Sequence, residues 1–414
     1  MAKHRRAFLK AAGALSSAAV AANWFTPHVS GQEAAKSKSA NDELRIGCIG
    51  TGGRCRHLIK ALDKIPGLQI MAICDVWDTA LAETRNLVHP EASVTKHFEE
   101  LLAKKDIDAV LIGAPDHQHV PLTIASCQAG KDVYVEKPLT HDPSEGEAVV
   151  AAQNQYKRIV QVGTQQRSMP HIQKAKEIIQ SGGIGKIRKV HACWNRNSGR
   201  ATKFQKDAID PKTVDWKKFL GTAKAQDFDA YRFRQWRWFW DFGGGIFTDL
   251  MVHWVDTAHW MLDLDHPLKA VSLGEMQLAQ DVWETPDTVQ TILRYPNDLQ
   301  FHFEGTFANA NRGALLEFMG SDATLVLDRG GYIITPEKGK PVAPSELILG
   351  TGPRGADFYD KPDGEILHLT NWIESIRSRK TPLCPAEQGV ASAAAAHLAN
   401  AALRGSGTAD WKKS

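Results

Sequence analysis

Lys137 is the residue of this chain whose position most clearly suggests a chemical role. It stands in the triplet Glu136-Lys137-Pro138, directly after an apolar run typical of a buried strand. Proline disfavours helical backbone at the preceding residue, so Lys137 is expected to be extended and to point out of the strand end. An ammonium group there could hydrogen-bond a substrate hydroxyl and help to remove its proton. A solvated surface lysine is the alternative.

A second constellation is the pair Asp249 and His253, which are four residues apart and share one face of a helix. Such a carboxylate can orient the imidazole and stabilise imidazolium after proton uptake. The pair suits removal of an alcohol proton while a hydride leaves the same carbon for a nicotinamide. Asp256 falls on the same face. A structural pair and a metal site are the alternatives, but no third ligand has convincing spacing, so we predict no metal.

A glycine-rich loop, Gly50-Thr51-Gly52-Gly53-Arg54-Cys55, follows one apolar run and opens a helical pattern. Glycines there let the backbone approach a pyrophosphate at the helix N-terminus, and Cys55 is small enough for close helix packing. Asp75 ends the next strand, where a carboxylate can accept both ribose hydroxyls and repel a 2′-phosphate. The glycine-rich loop together with Asp75 predicts NAD as the cofactor. Arg54 could instead hold the 2′-phosphate of NADP, and a glycine turn without nucleotide is the third interpretation.

The candidate residues named above can form one site only if the fold brings the ends of several strands together. Short apolar runs alternate with helical patterns over the first half, which indicates βαβ units and a parallel sheet covered on both faces. Strands are predicted at 44–49, 68–75, 109–113, 132–136 and 159–162. Helices are predicted at 56–64, 79–88, 97–104, 120–129 and 143–156.

The second half changes to closely spaced alternating strands with turns, which favours antiparallel hairpins. Strands are predicted at 187–194, 268–279, 288–294, 299–307, 314–319, 323–328 and 332–335. Helices are predicted at 172–180, 368–379 and 386–403. Residues 350–364 are rich in Gly, Pro and Asp and are predicted as a long loop that could act as a lid.

The order of the motifs resembles the glucose–fructose oxidoreductase / inositol dehydrogenase / rhizopine-catabolism (Gfo/Idh/MocA) family. The motifs are Pro115–His119, the run 130–138 that ends in Glu136-Lys137-Pro138, and the run 243–253 that ends in Asp-x-x-x-His. The resemblance covers residues 44–405. It implies an α/β fold class, with an N-terminal Rossmann dinucleotide-binding domain at 44–165 and a C-terminal α+β domain at 166–414 that holds a large, mostly antiparallel open sheet.

The resemblance also implies an NAD(P)-dependent oxidoreductase that acts on CH–OH groups of a sugar, a sugar derivative or a cyclic polyol. Catalytic roles fall on Lys137, Asp249 and His253, and a homo-oligomer would form through the open sheet face. Cofactor contacts are expected from Gly50, Thr51, Gly52, Gly53, Arg54, Asp75, Pro115, His119, Glu136, Lys137 and Gln165. A plain helix-start role is the alternative for His119.

Substrate contacts are expected at four positions. The resemblance places Arg167 near the substrate. Asn195 and Arg196 come at the end of the first strand of the second half. Trp240 lies in a run with three tryptophans, and indole faces stack well on sugar C–H surfaces, although core packing is the alternative there.

Composition and charge exclude several protein classes. The 414 residues are 43% hydrophobic and 23% charged, which excludes a disordered, collagenous or membrane-spanning protein. The formal net charge of +3 is due to four basic residues near the N-terminus, so no nucleic-acid partner is expected. The six cysteines are scattered without a CxxC motif, and we expect no disulfide framework.

Residues 1–31 have the form of an export signal, with a basic start, an apolar middle and a small-residue end. Arg5-Arg6 followed by Phe8-Leu9-Lys10 resembles a twin-arginine (Tat) signal, which exports folded proteins. A chance arginine pair before an apolar helix is the alternative. Residues 32–43 are expected to be a linker. We therefore predict a periplasmic or extracytoplasmic protein, with the Tat machinery as a partner and no membrane anchor in the mature form.

Three functional hypotheses remain. The first is an exported NAD-dependent sugar or polyol oxidoreductase. An exported enzyme cannot rely on fresh NAD, so the second hypothesis keeps NAD bound and recycles it in each turnover, as a two-substrate sugar oxidoreductase or an NAD-assisted glycoside hydrolase. The third is a non-catalytic protein that binds NAD or sugar.

Overall fold

A computed structural model describes residues 43–197, 209–339, 346–347 and 364–411. The predicted export signal, nearly all of the predicted linker and all but the last residue of the loop predicted at 350–364 lie outside these residues. All described elements belong to one unit that begins at Glu43. Within the described part of the chain, no helix is both long enough and apolar enough to cross a bilayer.

The first sheet confirms the predicted parallel βαβ series. Its strand order is β3-β2-β1-β4-β5-β6, and every neighbouring pair is parallel. The strands are β1 (Leu44–Ile49), β2 (Leu68–Cys74), β3 (Ser93–Thr95), β4 (Ala109–Ile112), β5 (Asp132–Val135) and β6 (Val160–Val162). The helices are α1 (Gly53–Leu62), α2 (Asp78–Arg85), α3 (Phe98–Leu102), α4 (His119–Gln128) and α5 (Gly146–Gln155).

This strand order positions a binding crevice. The chain runs outward from β1 to β3 on one side and from β4 to β6 on the other. The loops after β1 and β4 therefore run in opposite directions and leave a crevice at the carboxyl ends of these strands. All four residues of β4 are buried, as expected for a strand covered by helices on both faces.

The second sheet is mostly antiparallel, as predicted. Its order is β14-β13-β12-β11-β7-β10-β9-β8-β15, and β7 and β10 are its one parallel pair among the described residues. The strands are β7 (Ile187–Asn195), β8 (Lys269–Glu275), β9 (Thr288–Arg294), β10 (Gln300–Thr306), β11 (Ala314–Gly320), β12 (Ala323–Leu327), β13 (Gly331–Pro336), β14 (Glu346–Leu347) and β15 (Thr408–Asp410). The accompanying helices are α6 (Pro170–Gln180), α7 (Trp216–Leu220), α8 (Ala230–Arg234) and α9 (Val252–Leu262).

Two C-terminal helices, α10 (Gly364–Ser378) and α11 (Ala386–Arg404), connect the two cores. Leu369, Trp372 and Ile373 of α10 pack in the core of the first sheet together with residues of α1. Ala395 and Ala399 of α11 pack in the core of the second sheet. The predicted boundary at 165/166 therefore separates the two sheets, but α10 returns to the first core.

Candidate active site

The glycine-rich loop after β1 adopts the backbone that a dinucleotide site requires. Gly50 has φ +78°, and a Cβ there would lie 2.5 Å from the backbone nitrogen of Ala114. A Cβ on Gly52 or Gly53 would meet nothing within 4 Å, so the space above the loop is open for a ligand. The first turn of α1 has no side-chain cap, which leaves its N–H groups for a pyrophosphate. These residues fit the predicted cofactor.

Asp75 is fixed at the end of β2. Its Oδ2 accepts from the Thr51 N–H at 2.6 Å, and its Oδ1 accepts from the Trp77 N–H at 2.9 Å. Burial raises the pKa of Asp75, and these hydrogen bonds oppose that rise. Asp75 and Pro115 line a cleft of about 520 Å³ above the glycine loop. A carboxylate held there suits the ribose hydroxyls of NAD.

The structure overturns the 2′-phosphate interpretation of Arg54. Its Nε donates to Glu136 Oε1 at 3.0 Å, and its NH1 donates to Glu365. Burial alone would lower the pKa of Arg54, but the two carboxylates outweigh it and raise that pKa. The guanidinium is thus already paired with two carboxylates, both of which line the second cavity.

A second cavity of about 280 Å³ adjoins the cofactor cleft. The two share Arg54, Gly113, Ala114, Trp236 and Arg237, so they are continuous. The second cavity is also lined by Asp116, His119, Glu136, Lys137, Gln165, Trp194, Arg196, Asp249, Leu250, His253, Arg329 and Glu365. Lys137, Asp249 and His253, the three predicted catalytic residues, therefore meet in one cavity beside the cofactor cleft.

Lys137 is held by Asp249. Its Nζ donates to the backbone oxygen of Asp249 at 2.7 Å and to Oδ1 at 3.2 Å. Arg237 Nε donates to the same Oδ1 at 3.2 Å. A lysine ammonium has three N–H donors, so this arrangement leaves one donor for a substrate oxygen.

His253 lies close enough to Asp249 for the carboxylate charge to raise the pKa of the imidazole, and the orienting role of Asp249 stays a prediction. Residues Phe247–Met251 form a π-helical turn before α9, which changes the spacing along the face. Nδ1 of His253 is buried without a hydrogen-bond partner, and the ring packs 5.3 Å from the Trp194 ring. Burial, Lys137 and Arg329 hold the pKa of His253 well below its usual value, and Asp249 opposes them. The imidazole is therefore neutral near pH 7.

Glu136 and Gln165 support the floor of the cavity. Gln165 Nε2 donates to Glu136 Oε1 at 3.0 Å and to the Tyr134 hydroxyl at 2.8 Å. His119 lies with its two ring nitrogens 2.7 Å from the Pro138 oxygen and 2.8 Å from the Ala114 oxygen. It thereby links the strand end that carries Lys137 to the turn after β4, which is a positioning role.

Several cavity residues were absent from the predicted site. Asp116 belongs to the motif Pro115–His119, but the sequence does not show that it is buried. Burial raises the pKa of Asp116 to about 8, although the positive charges of Lys137 and Arg237 oppose that rise. Arg237 lies in the tryptophan-rich run, which could have drawn attention to it. Arg329 and Glu365 come from distant parts of the chain, and no local pattern marks them.

Arg167, which was predicted to lie near the substrate, does not line either cavity and pairs instead with Asp256. Arg167 Nε and NH2 donate to the two Asp256 oxygens, both at 2.7 Å. The side chains are 1% and 0% exposed and line neither cavity. The planar guanidinium of Arg167 matches both carboxylate oxygens of Asp256, so the two residues form a bidentate ion pair inside the fold.

Of the other predicted substrate residues, only Arg196 lines the second cavity, with its guanidinium 5.4 Å from the Trp194 ring. Asn195 is not in the lining, because its amide donates to the Asn311 oxygen at 2.9 Å. Trp240 is also outside it, with the Arg404 guanidinium 4.7 Å from its ring. Among the described residues, no group of three or more His, Cys, Asp or Glu could hold a metal ion.

The first domain has a parallel sheet with a glycine-rich loop that suits a dinucleotide. The second domain has an antiparallel sheet, and the cavity between the two sheets holds a lysine and a neutral histidine. These features define a two-domain nucleotide-binding protein. Residues 44–164 match the oxidoreductase family with an NAD-binding Rossmann fold, and residues 172–326 match the GFO/IDH/MocA C-terminal domain. Together these matches cover about two thirds of the chain. The chain belongs to the Gfo/Idh/MocA oxidoreductase family, and its first domain is the NAD-binding domain of that family.

Individual relatives agree with this assignment. An inositol 2-dehydrogenase of Rhodococcus erythropolis is 33% identical over 173 residues, which are 41% of this chain and 49% of the relative. A glycosyl hydrolase family 109 protein of a Shewanella species is 26% identical over 240 residues, which are 53% of this chain and 51% of the relative. The chain thus spans about half the length of these relatives. The crystal structure of myo-inositol 2-dehydrogenase from Lactobacillus plantarum has the same fold, with a TM-score of 0.67, 21% identity and coverage of 89% of this chain and 100% of that one.

Proposed function

We propose that this protein is an NAD-dependent oxidoreductase that moves a hydride between NAD and a hydroxyl-bearing carbon of a sugar, a sugar derivative or a cyclic polyol. The observation that carries the proposal is the position of Lys137, held by Asp249 beside the neutral His253, in a cavity continuous with the cofactor cleft. The inositol 2-dehydrogenase relatives support the substrate class.

Bound NAD supplies a hydride acceptor, and the residues of the chain manage the proton. The remaining N–H donor of Lys137 binds the reacting hydroxyl oxygen and fixes its position. His253, neutral because of burial and neighbouring cations, accepts the hydroxyl proton. The negative charge of Asp249 favours the imidazolium that results, and the same groups return the proton in the reverse direction.

The test is Lys137→Met, assayed by NADH absorbance with a panel of polyols and sugars. We expect the turnover rate to fall by about 10²- to 10⁴-fold, because the variant loses the group that holds the hydroxyl in the transition state. NAD binding, measured by fluorescence titration, should persist. The matched control is Lys174→Met on the exposed surface of α6, which should leave the rate unchanged. Equal rates in wild type and Lys137→Met would contradict the proposal.

We also propose export through the Tat pathway, which is supported by Arg5-Arg6 and the apolar run that follows. Replacing both arginines by lysine should keep the full-length protein in the cytoplasmic fraction of its own cells. Equal export of the variant would exclude the twin-arginine route.

A homo-oligomer through the open face of the second sheet is a further part of the proposal. Leu273 is 67% exposed, and Val271 and Ile292 also face outward on this sheet. Exposed apolar residues on one face favour contact with another protein surface. Light scattering on Leu273→Lys against wild type tests this, and a wild-type monomer would exclude it.

A second candidate function keeps the same hydroxyl chemistry but retains NAD between turnovers. The glycosyl hydrolase family 109 relatives and the proposed export both favour it. In this form the protein would be a two-substrate sugar oxidoreductase or an NAD-assisted glycoside hydrolase.

A further inference from the structure

The second cavity has an excess of positive charge. Its described lining contains five basic side chains, Arg54, Lys137, Arg196, Arg237 and Arg329. Three carboxylates of the lining are ion-paired with members of this set, Glu136 and Glu365 with Arg54, and Asp249 with Lys137 and Arg237. The fourth carboxyl group, that of Asp116, is mostly protonated near neutral pH, because burial raises its pKa to about 8. Two positive charges of the described lining are therefore in excess.

Arg329 has a fixed place on the turn that joins β12 to β13. Asp328 Oδ1 accepts from the N–H groups of Gly330 and Gly331 at 2.7 and 3.0 Å, and these hydrogen bonds close the turn. His171 of α6 lies with its Nε2 3.0 Å from the Asp328 backbone oxygen. The turn is thus held from within and from the neighbouring helix, so the backbone of Arg329 is well positioned.

Arg196 reaches the same wall of the cavity from the residue that follows β7. Its backbone N–H donates to the Thr306 oxygen at 2.8 Å. The guanidinium groups of Arg329 and Arg196 lie 4.4 and 5.4 Å from the centre of the Trp194 ring. An aromatic ring attracts cations at such distances. The buried Trp194 ring therefore holds two guanidinium groups at one wall.

This wall adjoins the histidine that accepts the hydroxyl proton. The His253 ring lies 5.3 Å from the Trp194 ring. Burial, Lys137 and Arg329 lower the pKa of His253, so the charge of Arg329 acts directly on the imidazole. The cavity of about 280 Å³ is close to the lower end of ligand sites, which measure roughly 300–1,000 Å³. One small molecule would therefore contact both the reacting residues and the arginines.

The chemistry of the arginines indicates which ligand group would bind at this wall. A guanidinium is planar and always charged, and its N–H groups match two oxygens of a carboxylate or a phosphate at once. Hydrogen bonds between charged groups are stronger than those to a neutral hydroxyl. A surplus of positive charge in a small cavity also attracts anions from solution. Both arguments favour a ligand with negative charge.

We propose that the substrate is an acidic sugar, whose carboxylate or phosphate group is bound by Arg196 and Arg329 while Lys137 and His253 act on one of its hydroxyls. This inference rests on the proposed function, whose substrate class it narrows. The anionic group is unchanged in the reaction. The hydride passes from the CH–OH carbon to NAD, the hydroxyl proton passes to His253, and the carbon becomes a carbonyl carbon. Arg196 and Arg329 determine which sugar binds and how it is oriented.

The test compares acidic sugars with their neutral counterparts on the same protein. D-Glucuronate and D-glucose 6-phosphate are paired with D-glucose, and myo-inositol 1-phosphate is paired with myo-inositol. NADH absorbance gives kcat/KM for each. We expect at least one acid to exceed its neutral partner by about 10- to 100-fold, because charged hydrogen bonds contribute more than neutral ones. This ratio should fall as the salt concentration rises.

The two sources of negative charge are separated by the same panel. A ratio that is high only for D-glucuronate identifies a carboxylate as the bound group. A ratio that is high only for the phosphorylated sugars identifies a phosphate ester. Either result supports the anionic substrate.

Arg329→Gln tests the arginine itself. It should lower the acid-to-neutral ratio of kcat/KM about tenfold or more, mainly through a higher KM for the acid. Arg329→Lys, which keeps the charge but loses the planar pair of donors, should retain part of the ratio. Both substrates meet the same active site, so the ratio is not affected by the amount of folded protein or by a change in the pKa of His253.

The matched control is Arg404→Gln. Arg404 also lies against a tryptophan, with its guanidinium 4.7 Å from the Trp240 ring, but it lines neither cavity. The acid-to-neutral ratio of this variant should equal that of wild type.

Four results would overturn the inference: no acid that is either bound or oxidised, neutral sugars that equal or exceed every acidic partner, a wild-type ratio in Arg329→Gln, or an equal loss in Arg404→Gln. The proposed function fails separately, and calorimetric titration of the NAD-loaded protein reveals this. If an acid binds more tightly than its neutral partner, and Arg329→Gln removes the difference, but no sugar reduces NAD, the anion site stands and the oxidoreductase does not.

Discussion

Arg167 and Asp256 are charged side chains that stabilise the fold and do not face the substrate cavity. Both are essentially fully buried, and Asp256 Oδ1 also accepts from the Ser392 hydroxyl at 2.9 Å. Removal of one partner leaves the other charge buried without compensation. We expect Arg167→Met to lower the free energy of unfolding by about 3–5 kcal/mol, measured by urea denaturation.

The control for this prediction is an exposed ion pair. Lys174 and Glu177 on α6 lie 3.1 Å apart with side chains 52% and 68% exposed, so Lys174→Met should cost less than about 1 kcal/mol. Similar losses in the two variants would show that the buried pair has no special role in stability. The NAD affinity of folded Arg167→Met should match that of wild type.

At this residue scale, the sequence located the site better than it described the bonds within it. Lys137, Asp249 and His253 could be found because each stands at a defined place in a motif, and the fold brings strand ends and the α9 face together. The partner of each charge could not be found. Lys137 binds Asp249 across 112 residues, and the resulting geometry depends on a π-helical turn with no local signature in the sequence.

At the scale of elements, the glycine loop between β1 and α1 allows a direct test of backbone geometry. Gly50 and Gly182 both have φ +78°, but a Cβ on Gly50 would lie 2.5 Å from the Ala114 nitrogen, whereas one on Gly182 would meet nothing within 4 Å. Gly182→Ala should cost about 1–2 kcal/mol from backbone strain alone. Gly50→Ala should cost clearly more and should also weaken NAD binding, because the loop must shift.

Thermal unfolding and NAD titration of both alanine variants check this prediction. If Gly50→Ala and Gly182→Ala have the same melting temperature and the same NAD affinity, the close approach of the loop to Ala114 does not matter for the site.

The elements themselves were largely predictable from periodicity. The five predicted strands of the first sheet differ from β1, β2, β4, β5 and β6 by no more than one residue at an end. Continuous apolar runs between helical patterns are sufficient for this result. The three-residue strands β3 and β15 were missed, because so short a segment shows no period. The short helices α7 and α8 were also missed, since the segment that carries them, residues 209–242, is ordered by aromatic packing rather than by an amphipathic repeat.

For the whole molecule, the least predictable feature is the return of the C-terminal helices to the first sheet. Arg54 binds Glu365 at the start of α10, which is 311 residues away, and Arg379 binds Asp132 at the start of β5 at 2.6 Å. No sequence period links such positions. The Arg54–Glu365 contact brings a residue of α10 into the lining of the second cavity, so that cavity is complete only when α10 has packed against the first sheet.

Four of the histidines buried in this folded unit have strongly lowered pKa values. Burial lowers the pKa of His117, His368 and His397 to about 4 and that of His259 to about 3. In the unfolded chain each would titrate near its ordinary value of about 6.5. The folded form therefore binds fewer protons than the unfolded form between about pH 6.5 and pH 4.

We expect acid to destabilise the protein through these groups. Their contribution to stability is fully present above about pH 6.5 and is lost as the pH falls toward about 4, by about 1.4 kcal/mol per pH unit for each histidine. Asp116, with its pKa raised to about 8, acts in the opposite direction over this range, but four groups outweigh one. Calorimetric melting from pH 6.5 to pH 5 should show a falling melting temperature. In His259→Phe the melting temperature should fall less than in the wild type, because one fewer group takes up a proton on unfolding. An equal fall in the variant and the wild type would show that His259 is not held neutral by burial.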